Sequence, residues 1–233
     1  MNHSQHERTR MLIGQEAFSF LGTQKVAVCG VGGVGSYTAE SLARSGVGTL
    51  LLIDNDVLSL SNCNRQIEAL HSTLNQPKVT AMAERIADID PAVTVETQQL
   101  FLTAQTPSSL FEGCDYIVDA IDNITAKLRL IEIAKELNIP IISAMGCGNK
   151  LHPEQLKITD LYKTDTCPLC RVMRRECKVR GIKKLKVIYS TEPPIKPITT
   201  QEGRTPPASM IFVPATAGLM MGAEIINHFL KEQ

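Results

Sequence analysis

Short apolar runs alternate with amphipathic stretches along the first two thirds of this 233-residue chain. Val26 to Cys29, Leu50 to Ile53, Val93 to Thr97, Asp115 to Ala120 and Pro140 to Ser143 read as strands, because each is apolar or β-branched and ends in turn-forming residues. Between them, Gly35 to Ser45, the stretch PKVTAMAERIADI with Pro77 near its start, and Thr125 to Leu137 carry the spacing of helices. Regular alternation of this kind predicts an α/β fold: a mostly parallel, Rossmann-like sheet with helices on both faces. At Ala144 the pattern changes. MGCGNK reads as a glycine turn, and QLKITDL and KLKVIYS read as strands that bracket a basic helix from about Pro168 to Arg180. Thr191 to Pro207 is rich in Pro and Thr without periodicity, which suits a loop or crossover, and a last helix spans about Ala217 to Lys231. No repeat or linker divides the chain. It reads as one domain: an N-terminal arm and helix over 1–24, a nucleotide-binding core over 25–145, and a C-terminal elaboration over 146–233.

Composition narrows the class only modestly. Hydrophobic residues make up 43%, Trp is absent and aromatics are scarce, so the core should be aliphatic and rich in alanine. The polar N-terminus MNHSQHERTR lacks the apolar core of a signal peptide, and no run approaches the roughly 20 apolar residues of a membrane span. Seven cysteines, an odd number set mostly in apolar elements, suit a reducing cytoplasm. Net charge is zero, but its distribution is uneven. Arg171, Arg174, Arg175, Lys178, Arg180, Lys183, Lys184 and Lys186 stand against Glu176 alone, and that density suits contact with a phosphate backbone.

The chemistry concentrates between Val26 and Arg65. The first strand empties into Gly30, Gly32, Gly33 and Gly35, and a helix follows at once. Such a turn aims backbone N–H groups and a helix N-terminus at a phosphate with no Cβ in the way. The second strand delivers Asp54, placed to accept from ribose hydroxyls. Glycines and acid alone serve nicotinamide, flavin and ATP sites alike. Asp56, Asn62, Asn64, Arg65, Gln66 and Lys78 discriminate, because a nicotinamide dinucleotide needs no such cluster beyond the ribose, whereas a triphosphate does.

The glycine turn, Asp-x-Asp, SNCNRQ, Lys78 and DAIDN stand in the order found in the ThiF/MoeB/HesA group of ATP-dependent adenylating enzymes, which this chain resembles over nearly its whole length. RTRMLIG, NRQIEAL, SAMGCGNKLHP, TDLYKTD and FVPATAGLMMGAEI look most like the branch that comprises the tRNA threonylcarbamoyladenosine dehydratases. The resemblance implies a homodimer that uses ATP and Mg²⁺ to adenylate the threonylcarbamoyl carboxylate on a tRNA adenosine and then closes the ring with loss of AMP. It places Gly33 and Asp54 at the nucleotide, Ser61 to Arg65 and Lys78 around ribose and phosphates, and Asp122 and Asn123 at the reacting phosphate, with Asp122 on the metal. Arg8 would be donated to the partner's site, with Arg10 the alternative if the register differs. Asp122 also reads as a helix N-cap. On this view Arg171, Arg174, Arg175, Lys178, Lys183 and Lys184 contact the tRNA backbone. The competing substrate is the C-terminal glycine of a ubiquitin-like sulfur carrier.

Cys167, Cys170 and Cys177 form CPLC and a third thiol on one helical face. The second CxxC of a tetrahedral zinc site is missing, which argues against the carrier-adenylating members. Three readings stay open for these thiols: core packing, a metal ligand set completed from elsewhere, or sulfur and redox chemistry with a cysteine desulfurase as partner. The five scattered histidines show no ligand spacing.

Overall fold

The computed structural model describes residues 5–196, 198 and 207–232. Seven strands form one sheet: β1 (Lys25–Cys29), β2 (Thr49–Ile53), β3 (Thr94–Gln98), β4 (Tyr116–Asp119), β5 (Ile141–Ala144), β6 (Leu156–Asp160) and β7 (Lys186–Ser190). Their spatial order is β3-β2-β1-β4-β5-β7-β6, parallel throughout except for the β6–β7 edge pair. The inner strands are near-continuous apolar runs because both of their faces are covered. Edge strand β3, TVETQ, is largely exposed and polar, which blunts an edge open to pairing.

Pleating sends alternate residues to two cores. Val26, Val28, Leu50, Leu52 and Val118 pack with residues of α3 (Gly35–Ser45), α4 (Lys78–Ile89) and α7 (Phe212–Phe229). Ala27, Cys29, Leu51, Ile53 and Ile117 meet α5 (Ile124–Leu137) on the other face. A third cluster packs α6 (Pro168–Val179) against β7 through Cys167, Cys170, Met173, Cys177 and Val187. The switch in strand order between β1 and β4 opens a crevice at the strands' carboxyl ends, where open α/β sheets bind ligands.

Two expectations need correction. The last helix begins at Phe212 rather than near Ala217, because Pro214 falls within its first turn, where a missing N–H breaks no helical bond. The N-terminal segment holds two short helices, α1 (Glu7–Ile13) and α2 (Gln15–Leu21), broken at Gly14, whose φ of 86° is left-handed. The Pro- and Thr-rich stretch read as a loop or crossover lies partly outside the described residues, at 197 and 199–206. No helix among the described residues is long and apolar enough to cross a membrane.

Candidate active site

The crevice holds a cavity of about 360 Å³ that gathers most of the residues singled out in the sequence. Gly30, Gly32, Gly33, Asp54, Asp56, Asn62, Arg65, Gln66, Lys78, Asp122 and Asn123 all line it. Gly30 has φ 86°, and a Cβ there would stand 2.8 Å from the Ala120 carbonyl oxygen. Gly35 does not face the cavity. A Cβ on it would lie 1.8 Å from the Gly30 carbonyl oxygen, so its bare Cα is what brings α3 against the end of β1. α3 starts without a side-chain cap, leaving N–H groups available to an anion.

Asp54 holds the glycine turn from below. Its Oδ2 accepts from the Val31 N–H at 2.7 Å and its Oδ1 from the Asp56 N–H at 2.9 Å. Each oxygen keeps a lone pair for a ribose hydroxyl. Lys78 is buried, and its Nζ donates to Asp56 Oδ2 at 2.7 Å. Among the described residues Arg65 has only neutral partners, the Ser61 carbonyl and Asn64 Oδ1, both at 2.9 Å. Its guanidinium therefore faces the cavity with no carboxylate of the described residues paired to it. Ser61 and Asn64 do not line the cavity; they brace the loop, Ser61 through that carbonyl and Asn64 also through Nδ2 to the Ser209 carbonyl at 2.9 Å. Asn62 Oδ1 accepts from the Ser59 N–H at 3.0 Å, and its amide nitrogen has no partner among the described residues.

Across the cavity, Asn123 rather than Asp122 caps α5, with Oδ1 accepting from the Ala126 N–H at 3.1 Å. Asp122 is exposed, a carboxylate at the rim with no side-chain partner among the described residues. Such a group fits a hard divalent cation that keeps several waters. Behind this turn lies a buried pair missed in the sequence: Lys127 Nζ donates to both oxygens of Asp119 at 3.0 Å and to the Ala144 carbonyl at 2.7 Å, and the Ser143 hydroxyl donates to the same carboxylate. The only signal was a lysine on the apolar face of α5. Leu100, Phe101 and Leu102 after β3 supply an apolar wall, also unread in the sequence for want of any motif.

Glu68 is buried with the Ser36 hydroxyl near its carboxylate, and neither carboxylate oxygen has a well-formed hydrogen bond among the described residues. Burial pushes its carboxyl up to about 7, against the opposing pull of the Lys78 ammonium.

The remaining expected residues lie elsewhere. Arg8 is exposed on α1 beside Thr9, Leu12 and Ser45, at the far end of α3 from the glycine turn. Arg10 covers the Phe18 ring, 5.2 Å from its centroid. The basic run is less one-signed than its sequence. Arg174 donates to the Thr164 carbonyl at 2.8 Å, Arg175 pairs with Glu176, Arg180 with Glu176 and Glu132, and Lys186 with Glu224. Among the described residues Arg171, Lys178, Lys183 and Lys184 pair with no acid. Lys183 and Lys184 precede β7 and so lie toward the amino ends of the parallel strands, opposite the glycine turn, where they line a second cavity with Tyr116, Lys135 and His228.

Fold and cavity together define a nucleotide-binding protein of Rossmann type, and the chain belongs to the ThiF family, which it matches over residues 6–233. The tRNA threonylcarbamoyladenosine dehydratase of Bacillus subtilis (strain 168) is 43% identical over 242 residues, covering 98% of this chain and 95% of the relative. Two crystal structures of E. coli tRNA N6-threonylcarbamoyladenosine dehydratase, TcdA, share the fold. The complex with AMP matches at TM-score 0.90 and 32% identity, over 97% of this chain and 93% of that one. The complex with ATP matches at 0.89 and 31%, over 98% and 94%.

Proposed function

We propose that this chain is an ATP-dependent tRNA threonylcarbamoyladenosine dehydratase that works as a single adenylation domain within a homodimer. The observation that carries the reading is the charge layout of the cavity. Among the described residues, Arg65 pairs with no acid, the buried Lys78 pairs with the exposed Asp56 alone, and Asp122 has no side-chain partner, and all three line the cavity with the glycine turn. The likeness to the Bacillus subtilis dehydratase and to the AMP and ATP complexes of the E. coli enzyme supports it.

The tRNA-borne carboxylate attacks the α-phosphorus of ATP, diphosphate leaves, and the resulting acyl-adenylate closes to the cyclic base with release of AMP. Bringing a carboxylate onto a polyanion makes charge the main obstacle, and fixed cations in a dry site offset it most effectively. Arg65 and Lys78 supply that charge at the phosphates, Lys78 exchanging Asp56 for phosphate oxygen. Asp54 and the amide of Asn62 orient the ribose, while Leu100 and Phe101 cover the base. Asp122 would hold Mg²⁺, which neutralises phosphate charge when bound. Arg8 is supplied from the second subunit. α1 buries no residue of its own and turns Met11 and Leu12 outward, which suits a helix that packs on a partner. Arg171, Arg174, Arg175, Lys178, Lys183 and Lys184 guide the tRNA backbone, with Arg171 and Lys178 the freest of those on α6. The cytoplasm is the compartment that fits this substrate.

The test is coupling of ATP cleavage to the modified base. AMP and diphosphate should form with tRNA bearing threonylcarbamoyladenosine and not with tRNA lacking it. Asp122→Ala or Arg65→Ala should cut that rate by roughly a hundredfold or more, the usual effect of losing one fixed stabilising group. AMP formation indifferent to the modification would refute the substrate assignment.

A further inference from the structure

The CPLC motif is not used by the chemistry above, and its geometry is distinctive. Cys167 is the N-cap of α6, Pro168 takes the first helical position, and Cys170 the third. An N-cap side chain and the third helical residue face each other across the open end of a helix. The helix N-terminus and its unpaired N–H groups favour negative charge there, which on a cysteine means thiolate. The turn after β5 closes over the sulfur, Gly146 lying so near that a Cβ on it would be 3.8 Å from Cys167 Sγ. Lys150, on the same turn, is a buried ammonium without an ion pair among the described residues; its one hydrogen bond, to the Ser190 carbonyl, is long at 3.4 Å. The facing Cys170 thiol foremost, then backbone N–H groups of Cys170 and Gly146 and the charge of Lys150, holds the Cys167 thiol well below its ordinary range. Cys170 is pushed up in turn, by its contact with Cys167 and by burial. The buried Cys29, Cys114 and Cys177 thiols and that of the half-buried Cys147 are all raised, chiefly by desolvation.

We propose that Cys167 and Cys170 are a redox-active dithiol that cycles with its own disulfide, Cys167 being the attacking sulfur and a low-molecular-weight disulfide such as oxidised glutathione the oxidant. The Cys167 thiolate attacks one sulfur of the oxidant, forms a mixed disulfide and expels one thiolate. Cys170 then gives up its proton and attacks Cys167 Sγ, expelling the second. One dithiol and one disulfide become one protein disulfide and two small thiols, the two electrons passing from protein to oxidant. Cys167 is 3% exposed, under the half-buried turn 146–149. Attack therefore requires that turn to lift, so equilibrium rather than rate is the informative quantity.

The experiment equilibrates the full-length protein in glutathione buffers of graded redox ratio, quenches with acid, alkylates under denaturing conditions and maps every cysteine by mass spectrometry, with circular dichroism confirming the fold. The expected result is a reversible loss of two hydrogens confined to the Cys167–Cys170 peptide. Cys170→Ser should instead accumulate one glutathione on Cys167, whereas Cys167→Ser should accumulate none on Cys170. A dithiol that stays reduced in the most oxidising buffer while the fold persists would overturn the proposal. So would oxidation spread over all seven cysteines. Stoichiometric zinc in the isolated protein, shielding both thiols until it is stripped, would overturn it in favour of a metal site.

Discussion

Glu68 shows what a single buried carboxyl does to the molecule. Its ordinary value near 4.5 is raised to about 7 because burial penalises the charged form. An acid raised on folding contributes stability at low pH and loses it as pH climbs through the folded value. Between about pH 4.5 and 7 this site should therefore cost the fold progressively more, in total on the order of 3 kcal/mol. Glu68→Gln keeps the shape without the charge and offers its amide to Ser36 Oγ. Denaturant melts should show the variant more stable than its parent at pH 8 and nearly equal to it at pH 4.5. A difference that does not change with pH would place the cost in packing instead. Much at this scale was hidden in the sequence. NRQIEAL identifies Arg65 and Gln66 by motif, but nothing in it says that Glu68 turns inward. Arg174 likewise reads as a free cation until the fold brings Thr164 to it.

At the scale of elements, the glycine turn separates packing from ligand contact. A Cβ on Gly35 would meet the Gly30 carbonyl oxygen at 1.8 Å, and backbone cannot yield as a side chain can. A Cβ on Gly32 would find nothing nearer than Gln66 Nε2 at 3.7 Å, yet it would face the cavity. Gly35→Ala should lower the melting temperature and ATP affinity together, because α3 must retreat from β1. Gly32→Ala should keep the melting temperature and weaken ATP alone, as read by calorimetry. Equal melting temperatures for both variants would contradict this division. Strands such as KVAVC and TLLLI were legible because a fully covered strand leaves an unbroken apolar run. The start of α7 was not, since a proline reads as a break unless one knows that it occupies the first turn. The wall of Leu100 and Phe101 has no local signature at all, being assembled only when β3 docks beside β2.

The whole molecule must explain Arg8, which the chain carries to the end of α3 remote from its own cavity. If a second subunit receives it, each site is built from two chains. Mixing Arg8→Ala with Asp122→Ala, each inactive alone, should then restore about one intact site per heterodimer once subunits exchange. No recovery after verified exchange would remove Arg8 from the machinery. The same long-range pairing explains why the charge run overstated the basic surface: Glu132 and Glu224 neutralise Arg180 and Lys186 from α5 and α7, helices far from α6 in sequence.

The central claim is that the cavity adenylates a carboxylate carried on tRNA. The most direct measurement is mass spectrometry of nucleosides from threonylcarbamoyladenosine-bearing tRNA incubated with the protein, ATP and Mg²⁺. The account predicts that threonylcarbamoyladenosine disappears and a product lighter by one water takes its place, only when ATP is present. Unchanged nucleosides, together with an acyl-adenylate formed on the C-terminal glycine of a small carrier protein, would contradict it.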